Sequence, residues 1–547
     1  MTPLRPAALL LFISAALSAQ SVQTVQTAPH QPCASLRSIQ IPASAIALPT
    51  RGAHITSAKP EHKNATPFCR VLGEITSVDP TAQPIRFELN LPEQWNGKAV
   101  HYGGGGFNGS LKYANGLGTP EVGIHTDPVP LERGYATFGS DSGHHHHYLL
   151  LPDLANALRA DFAANPEQRL NFAHDALKKV HDSVLSLLTS YYGTPPTRMF
   201  FVGGSTGGRE AYFLTQLWPT DYDGVLGAYA GWNQVQLDLQ FIRIAQAEYR
   251  PGDRFTRGWL PTSKTRLVAS HVLAACDQLD GVQDGILSNP QACHFDLKTL
   301  ACPSGTDHKN CLTPGQLQTF ETFATEQRSA VPLANGVQSI PGYNITAGTD
   351  LTGSMGLLRH PFHNPIFLLN SFYLVVADGV LRFFLTDDPN YDALAFDTHT
   401  GGTYADRLLP QSIASDASNA NLTPFFLHGG KFLMLHGTTD ATIPTNSSVE
   451  FYQMLQAHTP QSLLNHDARF FLIPGYGHAR GVFNAGFDAL GILDRWTQTG
   501  IPPENLIVTD NNKSRNHRTR PLCAWPLYPR YTAGDPNQAS SFACTAP

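Results

Sequence analysis

The sequence predicts an α/β protein: a mostly parallel sheet with helices on both faces, interrupted by one large insertion. Three observations predict it. Up to about residue 231, short apolar runs of strand length alternate with stretches of helical periodicity. Between 232 and 425 that alternation blurs, and Pro, Gly and four of the eight cysteines crowd the chain. From 426 it resumes with KFLMLHG, a helical stretch and ARFFLIPGYGH. The expected division is a leader over 1–19, a first sheet part over 20–231, an inserted domain over 232–425 and a second sheet part over 426–547.

The leader MTPLRPAALLLFISAALSAQ carries one Arg, an apolar stretch from Ala7 to Leu17 and small residues at Ser18 and Ala19. It reads as a secretory signal cut near Ala19. The stretch is shorter than the roughly 20 residues that span a bilayer. A secreted or periplasmic protein is expected, with no membrane partner. A formal charge of -6 with both signs interspersed gives no cationic stripe, so nucleic acid is not an expected partner either. In an oxidising compartment the cysteines are expected as disulfides. Nearest-neighbour pairing would join Cys33 with Cys69, Cys276 with Cys293, Cys302 with Cys311 and Cys523 with Cys544, although sequence alone leaves other connectivities open.

In IRFELNLP, residues Ile85, Phe87, Leu89 and Leu91 alternate as in a half-buried strand. KAVHYGGGGFNG reads as a strand entering a glycine loop at 103–106. FAHDALKKVHDSVLSLLTSYYG sets Val180, Val184, Leu187 and Leu188 at helical spacing, with Gly193 as a stop. RMFFV is a compact strand, and REAYFLTQLW a helix. KFLMLHG, SSVEFYQMLQAH and ARFFLIPGYGH repeat strand, helix, strand. The run His144 to His147, inside GSDSGHHHHYLL, is expected at the surface or at a helix start.

Between RMFFV and the helix after it, Gly203, Ser205 and Gly207 satisfy G-x-S-x-G, a strand-turn-helix elbow that projects a serine hydroxyl above the sheet. Asp440 and His478 each fall just after a later buried strand. The order Ser, Asp, His is that of the α/β-hydrolase fold. A serine hydroxyl is a poor nucleophile, so His478 would take its proton and Asp440 would fix the imidazole tautomer. The oxyanion of an attacked ester needs N–H donors, expected from Thr206 and from Gly104 or Gly105.

GGGGFNG, GGSTGGRE, the positions of Asp440 and His478 and the ending RPLCAWPLYPRYTAGDPNQASSFAC together resemble the tannase and feruloyl esterase family, which includes hydrolases of mono(2-hydroxyethyl) terephthalate. The resemblance spans nearly the whole chain after the leader. It implies a serine esterase of α/β-hydrolase fold with a lid between nucleophile and acid. It also implies a structural Ca2+ in the lid, held by Asp277, Asp280 and Asp284 and by the carbonyls of Val282 and Ile286. Carboxylates at this spacing, with glycines between them, suit that ion. Members typically carry cysteines before the nucleophile and after the histidine; here stand Gly204 and Ala479. Packing is left to tether the site.

The expected reaction is hydrolysis of small-molecule esters of aromatic acids, feruloyl or galloyl in type, through an acyl-enzyme. Competing readings are a terephthalate monoester hydrolase, an acyltransferase and a weakly catalytic phenolic-ester binder. In the lid, Phe372, Phe383 and Phe384 are expected against an aromatic acyl group, with Arg382 as a carboxylate or phenol partner.

Overall fold

The computed structural model describes residues 26–111, 115–117, 128–145, 158–249, 257–304, 306–512 and 517–547. The signal-like leader, its cut near Ala19, and His146 and His147 lie outside the described residues.

Among the described residues, ten strands build the main sheet: β1 Gln40–Ile41, β2 Ala53–Lys63, β3 Thr66–Ile75, β4 Ile85–Pro92, β5 Lys98–Tyr102, β6 Ala136–Ser140, β7 Arg198–Gly204, β8 Gly224–Ala228, β9 Lys431–Gly437 and β10 Ala468–Ile473. Their spatial order is β1-β2-β3-β4-β6-β5-β7-β8-β9-β10. From β6 to β10 all neighbours run parallel, whereas β1 to β4 form an antiparallel flank that joins through β4 and β6. Parallel strands covered on both faces read as apolar runs, and MFFV and FLML are buried throughout. Helix α1 (Ala176–Tyr192) buries Val180, Val184, Leu187 and Leu188 on the sheet and stops at Gly193, whose φ of 75° suits the left-handed cap. Helix α2 (Thr206–Leu217) follows the elbow directly.

β4 differs from expectation. Its second face is also buried, because Glu88 pairs with Arg70 at 2.7 Å and the Asn90 amide donates to the Asn115 carbonyl at 3.0 Å. Satisfied polar groups let that face pack under a loop while reading as solvent-facing.

Between β8 and β9 the described residues add no strand to this sheet. It folds instead as the inserted lid, whose helices include α3 (Gln234–Tyr249), α4 (Thr262–Cys276) and α5 (Phe372–Val380). Its apolar core contains Phe241, Phe320, Phe323 and Tyr373, and also takes in Phe107, Phe162 and Phe172 from the first sheet part. The seam between lid and sheet is therefore aromatic. His144 belongs to that seam: it is 1% exposed and stacks on Phe162 with centroids 3.5 Å apart. The surface placement expected for it is thus corrected, since an imidazole face packs well on a phenyl ring.

Disulfides join Cys33–Cys69, Cys276–Cys293, Cys302–Cys311 and Cys523–Cys544. Four such bridges fit an oxidising, extracytoplasmic compartment. Among the described residues, no helix is long and apolar enough to cross a membrane.

Candidate active site

The turn at the end of β7 puts Ser205 at φ 60° and ψ -120°, a conformation that projects its side chain out of the sheet. Its neighbours make this possible. A Cβ on Gly203 would lie 2.2 Å from the Gly207 carbonyl oxygen, and one on Gly207 would lie 2.8 Å from the Gly104 oxygen. Only glycine lets strand, helix and loop approach this closely. The Ser205 N–H donates to Ala228 on β8 at 3.0 Å, fixing the turn against the sheet.

Asp440 and His478 lie beyond the carboxyl ends of β9 and β10. His478 Nε2 stands 3.0 Å from Ser205 Oγ, and His478 Nδ1 stands 2.9 Å from Asp440 Oδ2. The second oxygen of Asp440 accepts the N–H groups of Thr442 at 2.7 Å and Ile443 at 2.9 Å. Burial alone would raise the Asp440 pKa. The His478 and His436 imidazoles outweigh it and hold this carboxyl far below the usual range. His436, whose Nε2 is 3.4 Å from Asp440 Oδ2, was not foreseen. A polar residue near the end of the buried run KFLMLHG was the available signal.

The glycine loop after β5 reaches the same point. Gly207 donates to the Gly104 carbonyl at 2.9 Å, and the Thr206 hydroxyl donates to Gly106. The Gly104 N–H is spent elsewhere, on the carboxylate of Glu210 at 3.1 Å, so the expectation of Gly104 as an oxyanion donor is corrected. Among the described residues, the N–H groups of Thr206 and Gly105 have no intramolecular acceptor. Burial raises the Glu210 pKa, and the Arg209 charge offsets part of the effect. Glu210 sits one turn into α2, on its buried face, and anchors the loop from below. Its place in GGSTGGRE hinted at this only through an acid occurring where the helix should be apolar.

A narrow pocket opens beside Ser205. Its walls are Phe107, Phe172, Phe241, Phe372, Leu237 and Ile443, with Gln234 and Thr442 as polar points. Of the foreseen lid residues, Phe372 lines it. Phe384 lies behind it, stacked on Phe107 at 5.7 Å, and Phe383 packs on the lid core without lining it. Arg382 is placed differently from the expectation. It is buried, pairs with Asp378 at 2.9 Å, and donates to Asn364 at 2.7 Å, to Tyr391 at 3.2 Å and to the His363 carbonyl. With its fork spent on lid groups, it is tied into the lid and does not line the pocket beside Ser205. A helical run of apolar residues with one Arg looks the same whether that Arg faces a pocket or an internal acid.

In the loop after α4, Asp277 accepts the Gly285 N–H at 3.1 Å, Asp280 accepts Val282 at 3.2 Å and Ser288 at 3.0 Å, and Asp284 accepts Ile286 at 3.0 Å. Burial raises the pKa of Asp277 and Asp280, and the Asp284 charge adds to both. Arg520 pairs with Asp284 and offsets one of the three charges. Among the described residues, the carbonyls of Val282 and Ile286 accept no hydrogen bond. The loop is thus rich in anionic oxygens, with the Val282 and Ile286 carbonyls unspent, although its three carboxylates do not bring ligand oxygens all within 4.8 Å of one another. A different group, His181, Asp182 and Asp221, brings potential metal ligands within 4.8 Å of one another. Lys178 already reaches into that group, 2.9 Å from Asp182 and 2.7 Å from Asp221, and supplies the positive charge.

Comparison with known proteins agrees with this geometry. The tannase and feruloyl esterase family profile matches residues 69–545. An uncharacterized esterase of Agrobacterium fabrum is 36% identical, over 100% of this chain and 99% of its own. A mono(2-hydroxyethyl) terephthalate hydrolase of Piscinibacter sakaiensis is 28% identical, over 90% of this chain and 86% of its own. The crystal structure of feruloyl esterase B from Aspergillus oryzae superposes with a TM-score of 0.75 at 21% identity, covering 94% of this chain and 99% of that one, a likeness of fold. With an α/β-hydrolase sheet, an inserted lid and a family match over nearly its whole length, the chain is a carboxylic ester hydrolase that belongs to the tannase and feruloyl esterase family.

Proposed function

We propose that the protein hydrolyses esters of neutral aromatic acids, of feruloyl or galloyl type, through an acyl-enzyme on Ser205. His478 takes the serine proton as the Ser205–carbonyl bond forms, and returns it to the departing alcohol. Water activated by the same imidazole then releases the acid. Asp440 holds the tautomer, and the Thr206 and Gly105 N–H groups face the developing oxyanion. Secretion or export to the periplasm fits the leader and the disulfides.

The observation that carries the choice of acyl group is the wall of the pocket beside Ser205, built of phenyl rings and aliphatic side chains with no charged residue among those described. Gln234 donates its amide N–H to Asp238 at 2.8 Å, which leaves its carbonyl oxygen to accept from a ring hydroxyl. The free carboxylate of a terephthalate monoester would enter this pocket unpaired, at a large desolvation cost. The test is a panel of methyl ferulate, methyl gallate and mono(2-hydroxyethyl) terephthalate. Hydrolysis of the first two at a kcat/KM at least about tenfold above the third is expected, a factor equal to about 1.4 kcal/mol. A preference for the terephthalate monoester would overturn the reading.

The loop of Asp277, Asp280 and Asp284, with the Val282 and Ile286 carbonyls, is inferred to hold Ca2+, in keeping with its hard oxygen donors. Bound there, the ion supplies charge balance and order to the lid rather than chemistry at the triad. Adding Ca2+ to chelator-treated protein should raise the melting temperature. At a free concentration a hundredfold above Kd the gain is about 2.7 kcal/mol. Asp280→Asn should abolish that rise. A melting temperature indifferent to Ca2+ in the unsubstituted protein would refute the site.

A further inference from the structure

We propose that Tyr229 is a positioning residue that ties the histidine loop to the nucleophile strand in place of any covalent link. The four disulfides lie elsewhere, and the loop from Gly475 to Arg480 carries His478 on a short irregular segment in which Ala479 takes φ 63°. Hydrogen bonds fix the backbone of that loop, from the Gly475 N–H to the Thr438 hydroxyl at 3.0 Å, from the Thr439 N–H to the Tyr476 carbonyl at 3.0 Å and, across His478, from the Gly477 N–H to the Arg480 carbonyl at 3.1 Å. They leave the imidazole plane itself to be set by its neighbours.

Tyr229 is the neighbour built for this. It follows β8 directly and is 1% exposed. Its φ of 35° is a conformation that bulky side chains rarely adopt, and it is stabilised by an N–H donated to Leu435 on β9 at 2.7 Å. That backbone turns the ring under the triad. Its centroid lies 4.7 Å from the His478 ring at an interplanar angle of 53°. Its hydroxyl shares a side-chain hydrogen bond with Tyr476, two residues before His478. The same ring lies against Gly204: a Cβ there would lie 2.7 Å from ring Cε2, 2.8 Å from the hydroxyl oxygen and 2.9 Å from Cζ. One ring thus fills the gap between the residue before the nucleophile and the imidazole that must meet it. Gly204 is the complement of Tyr229, because any side chain at 204 would displace the ring that packs on His478. Strain kept at a triad residue's neighbour is the mark of a position over-determined by its surroundings.

The inference rests on the acyl-enzyme reading, and the two fail in different places. If the esterase reading is wrong, the wild-type protein turns over no aromatic ester. If the tie is wrong, the wild type is active and the variants match it. Rates are measured on methyl ferulate per Ser205 site titrated with a fluorophosphonate, so that a lowered folded fraction does not enter. Tyr229→Leu should lower kcat about tenfold to a hundredfold with KM within about twofold, the loss expected when reacting groups shift by up to an ångström. It should also move the acidic limb of the kcat/KM profile, which a merely structural role would leave in place. Gly204→Ala should reproduce both changes by pushing the ring. In the Tyr229→Leu background, Gly204→Ala should cost less than about twofold more, because the clash is gone. Should Tyr229→Leu fail to fold, Tyr229→Phe and Gly204→Ala carry the test: the phenylalanine keeps the ring and should lose only about threefold, whereas the alanine loses the full factor. Wild-type kcat in Gly204→Ala, or losses that multiply independently in the double variant, would overturn the proposal.

Discussion

Ser205→Ala lowers kcat by about 10⁶-fold on the best aromatic ester, with the melting temperature unchanged within a few degrees. The size follows from the site's geometry. Ser205 Oγ is the atom that His478 Nε2 meets at 3.0 Å, so on the proposed acyl-enzyme mechanism its removal would delete the covalent step itself. On the proposed mechanism, the Thr206 and Gly105 N–H pair and the aromatic pocket would survive, and could still hold an ester and favour attack by water at a residual rate. The fold should not suffer, since the Ser205 backbone N–H to Ala228 and the helix that follows remain. The measurement is single-turnover hydrolysis at high enzyme concentration beside a thermal melt and a fluorophosphonate label. A variant within tenfold of the wild type, or one that still takes the label at the same rate, would end the acyl-enzyme mechanism.

The sheet and the chain order of the triad are legible in the sequence because they rest on local signals. A buried parallel strand is an unbroken apolar run, and catalytic groups in this architecture fall immediately after such runs. MFFV, KFLML and ARFFLI therefore point to Ser205, Asp440 and His478 without reference to packing. The features that escape such reading are set by partners far away in sequence. Whether Gly104 or Gly105 has a free N–H depends on a carboxylate 106 residues on. Arg382 is spent within the lid because Asp378 lies one helical turn away and because Asn364, His363 and Tyr391 are folded onto it. The second face of β4 looks solvated until Arg70 and Asn115 are seen to meet Glu88 and Asn90. Tyr229 and Gly204 are 25 residues apart and neither is informative alone. Their meaning lies in the space between them, which periodicity does not encode.

Asp440→Asn should lower kcat about 10⁴-fold while the rest of the triad stays in place. The Thr442 and Ile443 N–H groups select the side-chain oxygen at one position and so direct the new amide nitrogen at His478 Nδ1. An amide N–H facing Nδ1 forces that nitrogen to accept, which puts the imidazole proton on Nε2, toward Ser205 Oγ. The base then carries a proton where it should receive one. Because the defect is a tautomer and not a titration, raising the pH through the neutral range should not restore the rate. The same substitution should change the acid stability of the fold. Asp440 has a folded pKa depressed below its unfolded value near ~4, so its stabilising contribution is fully present above that pH and is lost as the pH falls toward the folded value. The wild type should therefore lose more melting temperature than Asp440→Asn between pH 5 and pH 3, measured from the same neutral reference, since the asparagine has no proton to take up. Equal acid slopes would mean that the carboxylate is not held ionised by the two imidazoles, and a kcat within tenfold of the wild type would mean that it does not set the tautomer.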